Sequence, residues 1–530
     1  MVAAASLIHA ADWPQWGGSD PGRNLVSTET GLPTEFKAHA PMENVRWMVK
    51  LGGAVQGNPT VSNGKVFVGT DDAALEEDSR FVRTHAGMVQ CLDEATGKVL
   101  WRLAIPQRMR DRLPQNAHYG EQKLGVCSSP AVSGNRAYVV TPSCEVLCLD
   151  VNGMADGNDG PFQDEARYMA GAGHPSIKLG KQDGDIIWSF DLIDQLGICP
   201  HDVASCSPIV DGRFLYTVSC NGVDKPHEKC LRPDAPSFIC LDSQTGKLLA
   251  TDTEGLGHRM WHCLWSPPSI GTVNGKKLVI FGGADGICYA FEALTTVPNE
   301  PIHFKKVWQF DCDPPEFRFP GGKTINYYVG DKRKKYTTNK DDGKFLGPSE
   351  IISTPVFHDG RVYTTIGQDP THGRGRGLLH CIDASGTGDI THTGNVWTYE
   401  GIERSISTVA ISDGLLYAAD LAGHIHCLDV KTGKPYWVYQ SFTQTWGSPM
   451  VADGKVYITN LKGLLVMAAG KEMKVLAMIP LGAPSYATPI AANGTLFVAS
   501  QTSLWAVQNP PMMHASAEAV DGKQQKSAQQ

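Results

Sequence analysis

Two stretches decide the fold: Ser448-Pro449-Met450-Val451-Ala452-Asp453-Gly454-Lys455-Val456-Tyr457-Ile458 and Thr488-Pro489-Ile490-Ala491-Ala492-Asn493-Gly494-Thr495-Leu496-Phe497-Val498. Each is a small polar residue and a proline, a short apolar run, an Asx-Gly pair and a second β-rich run. Asn-Gly and Asp-Gly reach the positive φ angles of a tight hairpin with little strain. Six further copies open at Asn58-Pro59, Ser129-Pro130, Ser207-Pro208, Ser266-Pro267, Thr354-Pro355 and Ser407-Thr408-Val409, making eight in all. A third run follows in most copies and closes on Leu-Asp or a near variant, as in Cys91-Leu92-Asp93 and Cys427-Leu428-Asp429. A Thr-Gly-Lys turn and a tryptophan then recur, at Thr96-Gly97-Lys98 with Trp101 and at Thr432-Gly433-Lys434 with Trp437. Units of this size cannot bury their faces alone and must stack. Four strands per unit, repeated radially, predict an all-β, eight-bladed β-propeller of antiparallel blades.

Ring closure is legible too. The eighth copy supplies three strands before the chain turns polar, and Val45-Arg46-Trp47-Met48-Val49 carries the outer-strand tryptophan before the first copy. This N-terminal strand is expected in the last blade, where it removes the open edge. Trp47, Trp101, Trp188, Trp308, Trp397 and Trp437 share the outer-strand position and read as packing between blades. The expected organisation is a residual export signal at 1–11, a propeller over 12–508 and a disordered tail at 509–530.

Composition narrows the function. A net charge of −8 with scattered lysine and arginine gives no footprint for nucleic acid or an anionic membrane surface. The run Lys332-Arg333-Lys334-Lys335 is offset by Asp331, Asp341 and Asp342 and reads as a solvated loop. No stretch has the length of a transmembrane segment. With the leader remnant, this points to a periplasmic or secreted protein. Among the fourteen cysteines, Cys91, Cys148, Cys240, Cys381 and Cys427 fall at one equivalent third-strand site, which marks them as small buried hydrophobes. The others cluster in units two to four, where one or two disulfides, Cys220–Cys230 among them, are compatible with position. There is no Cys-x-x-Cys-His, so no covalent haem is expected.

Long insertions interrupt units one to five. In a propeller, loops joining one blade to the next and loops joining second to third strands share one rim. That rim takes 102–126, 189–205, 219–237, 251–264, 311–350 and 367–377, and the function is expected at its axial mouth.

The Trp13-Pro14-Gln15-Trp16-Gly17 opening, followed by eight such repeats, resembles the pyrroloquinoline quinone (PQQ) propeller superfamily. This superfamily includes quinoprotein alcohol dehydrogenases and the non-catalytic outer-membrane protein assembly lipoproteins. The resemblance spans residues 12–508 and implies, for the catalytic branch, PQQ and Ca2+ at the axis. Cys127 stands where a vicinal Cys-Cys would lie on the cofactor, and Trp265, or less well Trp261, where the quinone would stack. Asp224 and Asp285 stand at the calcium positions, Glu350 at the general base, and Arg374 or Arg376 near the quinone oxygens. Calcium polarises a carbonyl, a carboxylate takes an alcohol proton, and an aromatic floor holds a flat ring. The missing second cysteine and the Asp at the Asn position depart from the pattern.

Two other constellations compete. His118, Cys127, His201, Cys206, His258, His262 and Cys263 approach the same rim and are ligand types for Cu or Zn. On the opposite rim, Asp150, Asn152, Asp156, Asn158 and Asp159 alternate with glycines as a structural calcium loop requires. Two functions therefore stand open on sequence alone. One is an oxidoreductase acting on a small alcohol or sugar with a separate electron acceptor. The other is a scaffold binding a protein, peptide or glycan through its rim.

Overall fold

The computed structural model describes residues 11–107, 112–120, 123–314, 348–372 and 375–509, with backbone pairing alone for four short strands between 328 and 346. Eight antiparallel blades form a closed ring, and two short α-helices, Glu165–Ala170 and Leu192–Leu196, occur among the described residues. Blade 1 is built from Thr60–Ser62, Lys65–Thr70, Gly87–Asp93 and Val99–Ile105. Blade 8 combines Ile490–Ala492, Thr495–Ala499 and Ser503–Val507 with Val45–Lys50, the last pair in the register Trp47↔Ala506 and Lys50↔Ser503. The predicted closure by the front of the chain is thus the observed one. The export remnant, apart from Ala11, and residues 510–530 lie outside the described residues, as do most of the 311–350 insertion and its basic run.

The repeated phrase has a physical explanation at each position. The Asx-Gly pairs Asn63-Gly64, Asp413-Gly414, Asp453-Gly454 and Asn493-Gly494 all have positive φ, the two-residue hairpin that matches strand twist. The small polar residue that opens each copy ties one blade to the next. Thr354 N–H donates to Thr408 Oγ1 (3.0 Å), Thr408 N–H to Ser448 Oγ (2.9 Å) and Ser448 N–H to Thr488 Oγ1 (2.9 Å). The belt continues through Thr488 N–H to Asn58 Oδ1, Asn58 Nδ2 to Ser129 Oγ (3.1 Å) and Ser129 N–H to Ser207 Oγ (3.0 Å).

The outer tryptophans brace the periphery in the same manner. Trp47, Trp101, Trp188, Trp308, Trp397 and Trp437 each donate their indole N–H to a carbonyl of the following blade, at 2.8–3.1 Å. The recurrent cysteine or alanine pairs with the tryptophan across the sheet (Cys91↔Trp101, Cys148↔Trp188, Ala290↔Trp308, Cys427↔Trp437), so a small side chain leaves room for an indole. The glycine of the Thr-Gly-Lys turn receives the neighbouring indole. At Gly433, φ is +68° and a Cβ would lie 2.6 Å from Trp397. All fourteen cysteines are free thiols, Cys220 and Cys230 included, so no disulfide reinforces the ring.

Blade 3 lacks the outer tryptophan, and its edge is covered differently. Ile302–His303 from the 293–305 insertion adds a parallel fifth strand (Ala250↔Ile302). Gly388–Asp389 does the same for blade 4. Covered edges cannot recruit foreign strands.

The N-terminal segment is the feature that periodicity did not reveal. Residues 13–29 run across the first strands of the whole ring on the hairpin side. Trp13 exchanges backbone bonds with Val61, Pro14 O accepts from Val132 N–H, Pro21 O from Ile270 N–H and Gly22 O from Phe357 N–H. Asn24 exchanges two bonds with Ile411 (2.8 Å each), Leu25 and Ser27 flank Val451, and Glu29 receives Asn493 and Gly494 N–H. Arg23, fully buried, donates to the carbonyls of Trp16, Pro208 (2.8 Å) and Pro268 (3.0 Å), which joins blades 3 and 4.

Candidate functional site

The first strands converge on an axial cavity of about 220 Å³ that opens on the loop-rich rim. Trp16 from the N-terminal segment closes it on the hairpin side and donates to Thr354 Oγ1 at 2.8 Å. Trp265, Trp446 and Tyr486 form aromatic walls, with Trp446 and Tyr486 edge-on at 4.5 Å. Between them lie Ser207, Thr408, Ser448 and Thr488 of the hydroxyl belt. Each of these oxygens accepts a backbone N–H, which leaves the hydroxyl hydrogen for another acceptor. Asp369 is the one carboxylate among the described lining residues, and no lysine or arginine is among them.

Of the positions the quinoprotein resemblance suggests, Cys127 and Trp265 line this cavity. Trp265 is held by its indole N–H bond to Val203 O (3.0 Å). Trp261 is buried beside Ala284 and does not line it. Asp285 is buried in a closed network, with Arg259 Nε and the Tyr289 hydroxyl each 2.7 Å from its Oδ2. Asp224 accepts Glu228 N–H (2.7 Å) and Lys229 N–H (3.1 Å), which makes it a loop cap. Glu350 is fully buried on a segment bridged to Gly367 and is not among the lining residues. Arg376 pairs with Glu400 (3.1 Å), and Arg374 lies outside the described residues. Calcium needs about six to eight oxygens. Among the described residues the cavity wall offers one carboxylate, so these residues do not fit a calcium-bound quinone there.

The acidic loop on the opposite rim is partly self-satisfied. Asp150 accepts Asn152 N–H (2.6 Å), and Asn152 donates to Asp156 (2.9 Å). Asn158 donates to Glu165 (2.7 Å) and Asp159 N–H to Asp185 (2.9 Å). Asp185, outside the sequence expectation, is fully buried, and burial with the nearby Glu165 carboxylate pushes it up to about 7.

The densest group of ligand-type side chains adjoins the cavity. His118, His201, His227, His262 and His372 meet there from five of the six long insertions of the loop-rich rim. Ring centroids are 4.8 Å apart for His118–His201, 4.4 Å for His201–His262, 4.5 Å for His201–His227 and 4.9 Å for His262–His372. The Nε2 atoms of His227 and His262 face each other at 3.0 Å. His201 Nδ1 donates to Val223 O at 2.7 Å, which turns its Nε2 inward, 3.2 Å from His118 Nδ1. His118 also contacts Asp202 (2.9 Å). Burial, then the His227 imidazole, lowers His201 to about 2, so this ring stays neutral.

Sequence reasoning had three of these five. His227 and His372 escaped it because they lie in loops joining second to third strands, whereas the other three lie in segments that lead into a blade's first strand. The thiols suggested with them stand apart. Cys263 donates to Cys220 O (3.4 Å), burial pushes Cys127 up to about 12 and raises Cys206 and Cys263 as well, and no cysteine joins a convergent ligand group among the described residues. His258 pairs with Asp234 (2.7 Å) in an exposed loop.

The profile of a family described as outer membrane protein assembly factor BamB matches residues 69–191 and 305–510, more than half of the chain. The chain belongs to that family of PQQ-like propellers. Among solved structures, BamB from Moraxella catarrhalis is similar at 12% identity and a TM-score of 0.50, over 89% of this chain and 98% of that one. A europium-containing methanol dehydrogenase is similar at 12% identity and a TM-score of 0.52, over 93% and 90%. At such identities the likeness is one of fold. No curated protein sequence matches the chain.

Proposed function

We propose that this protein is a periplasmic or secreted propeller that binds a small, uncharged, hydroxyl-bearing ring molecule, the size of one sugar or aromatic alcohol, in its axial cavity. The observation that carries this reading is the combination of aromatic walls with a belt of hydroxyls that each accept a backbone N–H and keep their own hydrogen to donate. Aromatic faces take the apolar face of a ring, and the free hydroxyl hydrogens seek its oxygens. At about 220 Å³ the cavity falls below the roughly 300–1,000 Å³ of drug-sized sites, which limits the ligand to a single ring. The near absence of charge in the wall disfavours an ionic ligand. Titration of the full chain with a panel of monosaccharides and benzylic alcohols, followed by tryptophan fluorescence and calorimetry, tests it. Saturable binding lost in Trp265→Ala supports the reading, and no binding by any member sinks it.

A second reading, a rim that docks a protein or peptide, draws on the assembly role in the family's description. It also draws on Phe442, which is 82% exposed on the loop-rich rim at φ +57°. A bulky residue held there stores local strain that packing does not repay. No described helix is long and apolar enough to cross a membrane, so neither reading calls on a spanning helix.

A further inference from the structure

We propose that His201, His227 and His262, with His372 and His118 around them, form a binding site for one borderline divalent transition metal, Cu2+ or Zn2+, set against the wall of the axial cavity.

The geometry is that of a donor set closing on a point. One ligand nitrogen from each of His201, His227 and His262 lies within 4.8 Å of the others, and the two from His227 and His262 are 3.0 Å apart. Metal–nitrogen bonds of about 2.0–2.1 Å in a tetrahedral site put neighbouring nitrogens about 3.3 Å apart. The pair is already near that spacing, and the third nitrogen needs a side-chain movement of at most about 1.5 Å. His372 packs against both rings of this pair, at 5.2 Å from His227 and 4.9 Å from His262, within reach of a fourth position.

The surroundings are those that metal-binding imidazoles require. A ligating ring is usually fixed by a hydrogen bond from its other nitrogen. His201 has that bond, from Nδ1 to Val223 O, which leaves its Nε2 facing the cluster. Nitrogen donors without thiolates favour Cu2+ and Zn2+ over soft monovalent ions, and oxygen-seeking Ca2+ and Mg2+ have one carboxylate to bind. Five insertions from four blades each place one imidazole at this point. A packing role would be served as well by apolar side chains.

A second convergent group, Asp420, His424 and His426 on blade 6, provides an internal control. There Asp420 accepts Glu403 and His424 backbone N–H, His426 meets the Tyr399 hydroxyl and His424 meets Gln440. These bonds complete that network without an ion.

The test uses the full chain, stripped with a chelator and dialysed separately against Cu2+ or Zn2+, with bound metal counted by elemental analysis. Co2+ serves as a spectroscopic probe. The expected result is about one equivalent retained, visible d–d bands of low-coordinate Co2+, and at least tenfold weaker binding in His227→Ala and in His262→Ala. His227→Gln, in a half-buried loop, covers the case in which the alanine variants fail to fold, with circular dichroism and thermal melting as folding controls. His426→Gln is expected to leave retention unchanged. Retention below about a tenth of an equivalent, retention unaffected in the folded His227 variant, or loss caused by His426→Gln would each overturn the proposal.

Discussion

Trp265 lines the axial cavity and also meets the His262 imidazole edge-on, with ring centroids 4.9 Å apart at 61°. One indole therefore forms both the wall of the cavity and the boundary of the histidine cluster. Removing it deletes a stacking face for the cavity ligand, at about 0.5–1.5 kcal/mol beyond area loss. In Trp265→Ala, binding of a ring ligand weakens by about tenfold or more, while the thermal midpoint moves little. Calorimetric titration beside a thermal melt checks both halves of this prediction.

The outer tryptophans give the opposite pattern. Trp101 is fully buried, packs on Gly153 of the next blade and donates to Val151 O at 3.0 Å. Trp101→Ala loses about 3–5 kcal/mol of stability and lowers the melting midpoint by about 3–5 °C, with the cavity's ligand affinity unchanged in the folded fraction. Denaturant titration and ligand binding on the same sample separate stability from function.

Arg23 carries the lacing of the ring floor. Its guanidinium satisfies carbonyls of the N-terminal segment, blade 3 and blade 4 at once. Arg23→Met leaves those buried acceptors unpartnered, at about 1–3 kcal/mol each. The expected outcome is a loss of several kcal/mol by urea unfolding, much larger than for Arg80→Met, whose guanidinium is partly exposed.

His380 makes stability depend on pH. It is buried in blade 5, its Nε2 donating to Cys312 O (2.9 Å) and its Nδ1 accepting from the Thr398 hydroxyl (3.1 Å), and burial lowers it to about 4. A base depressed in the folded state binds its proton more readily when unfolded. Stability is therefore full above about pH 6.5 and declines as pH falls toward 4, by up to about 3 kcal/mol from this group. In His380→Gln the melting midpoint falls less steeply between pH 7 and 4.5 than in the native chain, as read by calorimetry across that range.

The ring, its closure and its working rim were legible because each rests on periodicity. Asx-Gly pairs mark hairpins, Trp47 shares the spacing of Trp101 and Trp437, and insertions fall between fixed strand positions. Side-chain direction within the insertions was not. Asp285 occupies the place of a metal ligand in sequence, but Arg259, which no repeat pattern singles out, turns it into an ion pair. His118, His201 and His262 were visible as ligand types near strand starts. Their junction with His227 and His372 depends on how five loops fold over one another. Trp13–Gly17 was read as a family sign, and its physical task, floor and tie, emerges from contacts that span more than three hundred residues, such as Trp16 to Thr354.

That early stretch changes what kind of object the propeller is. A radial array with neighbour-only contacts is free to fray one unit at a time. Here a single strand of chain is stitched to every unit, so opening any of them loosens an element shared by all, and the molecule is built to melt as one cooperative body.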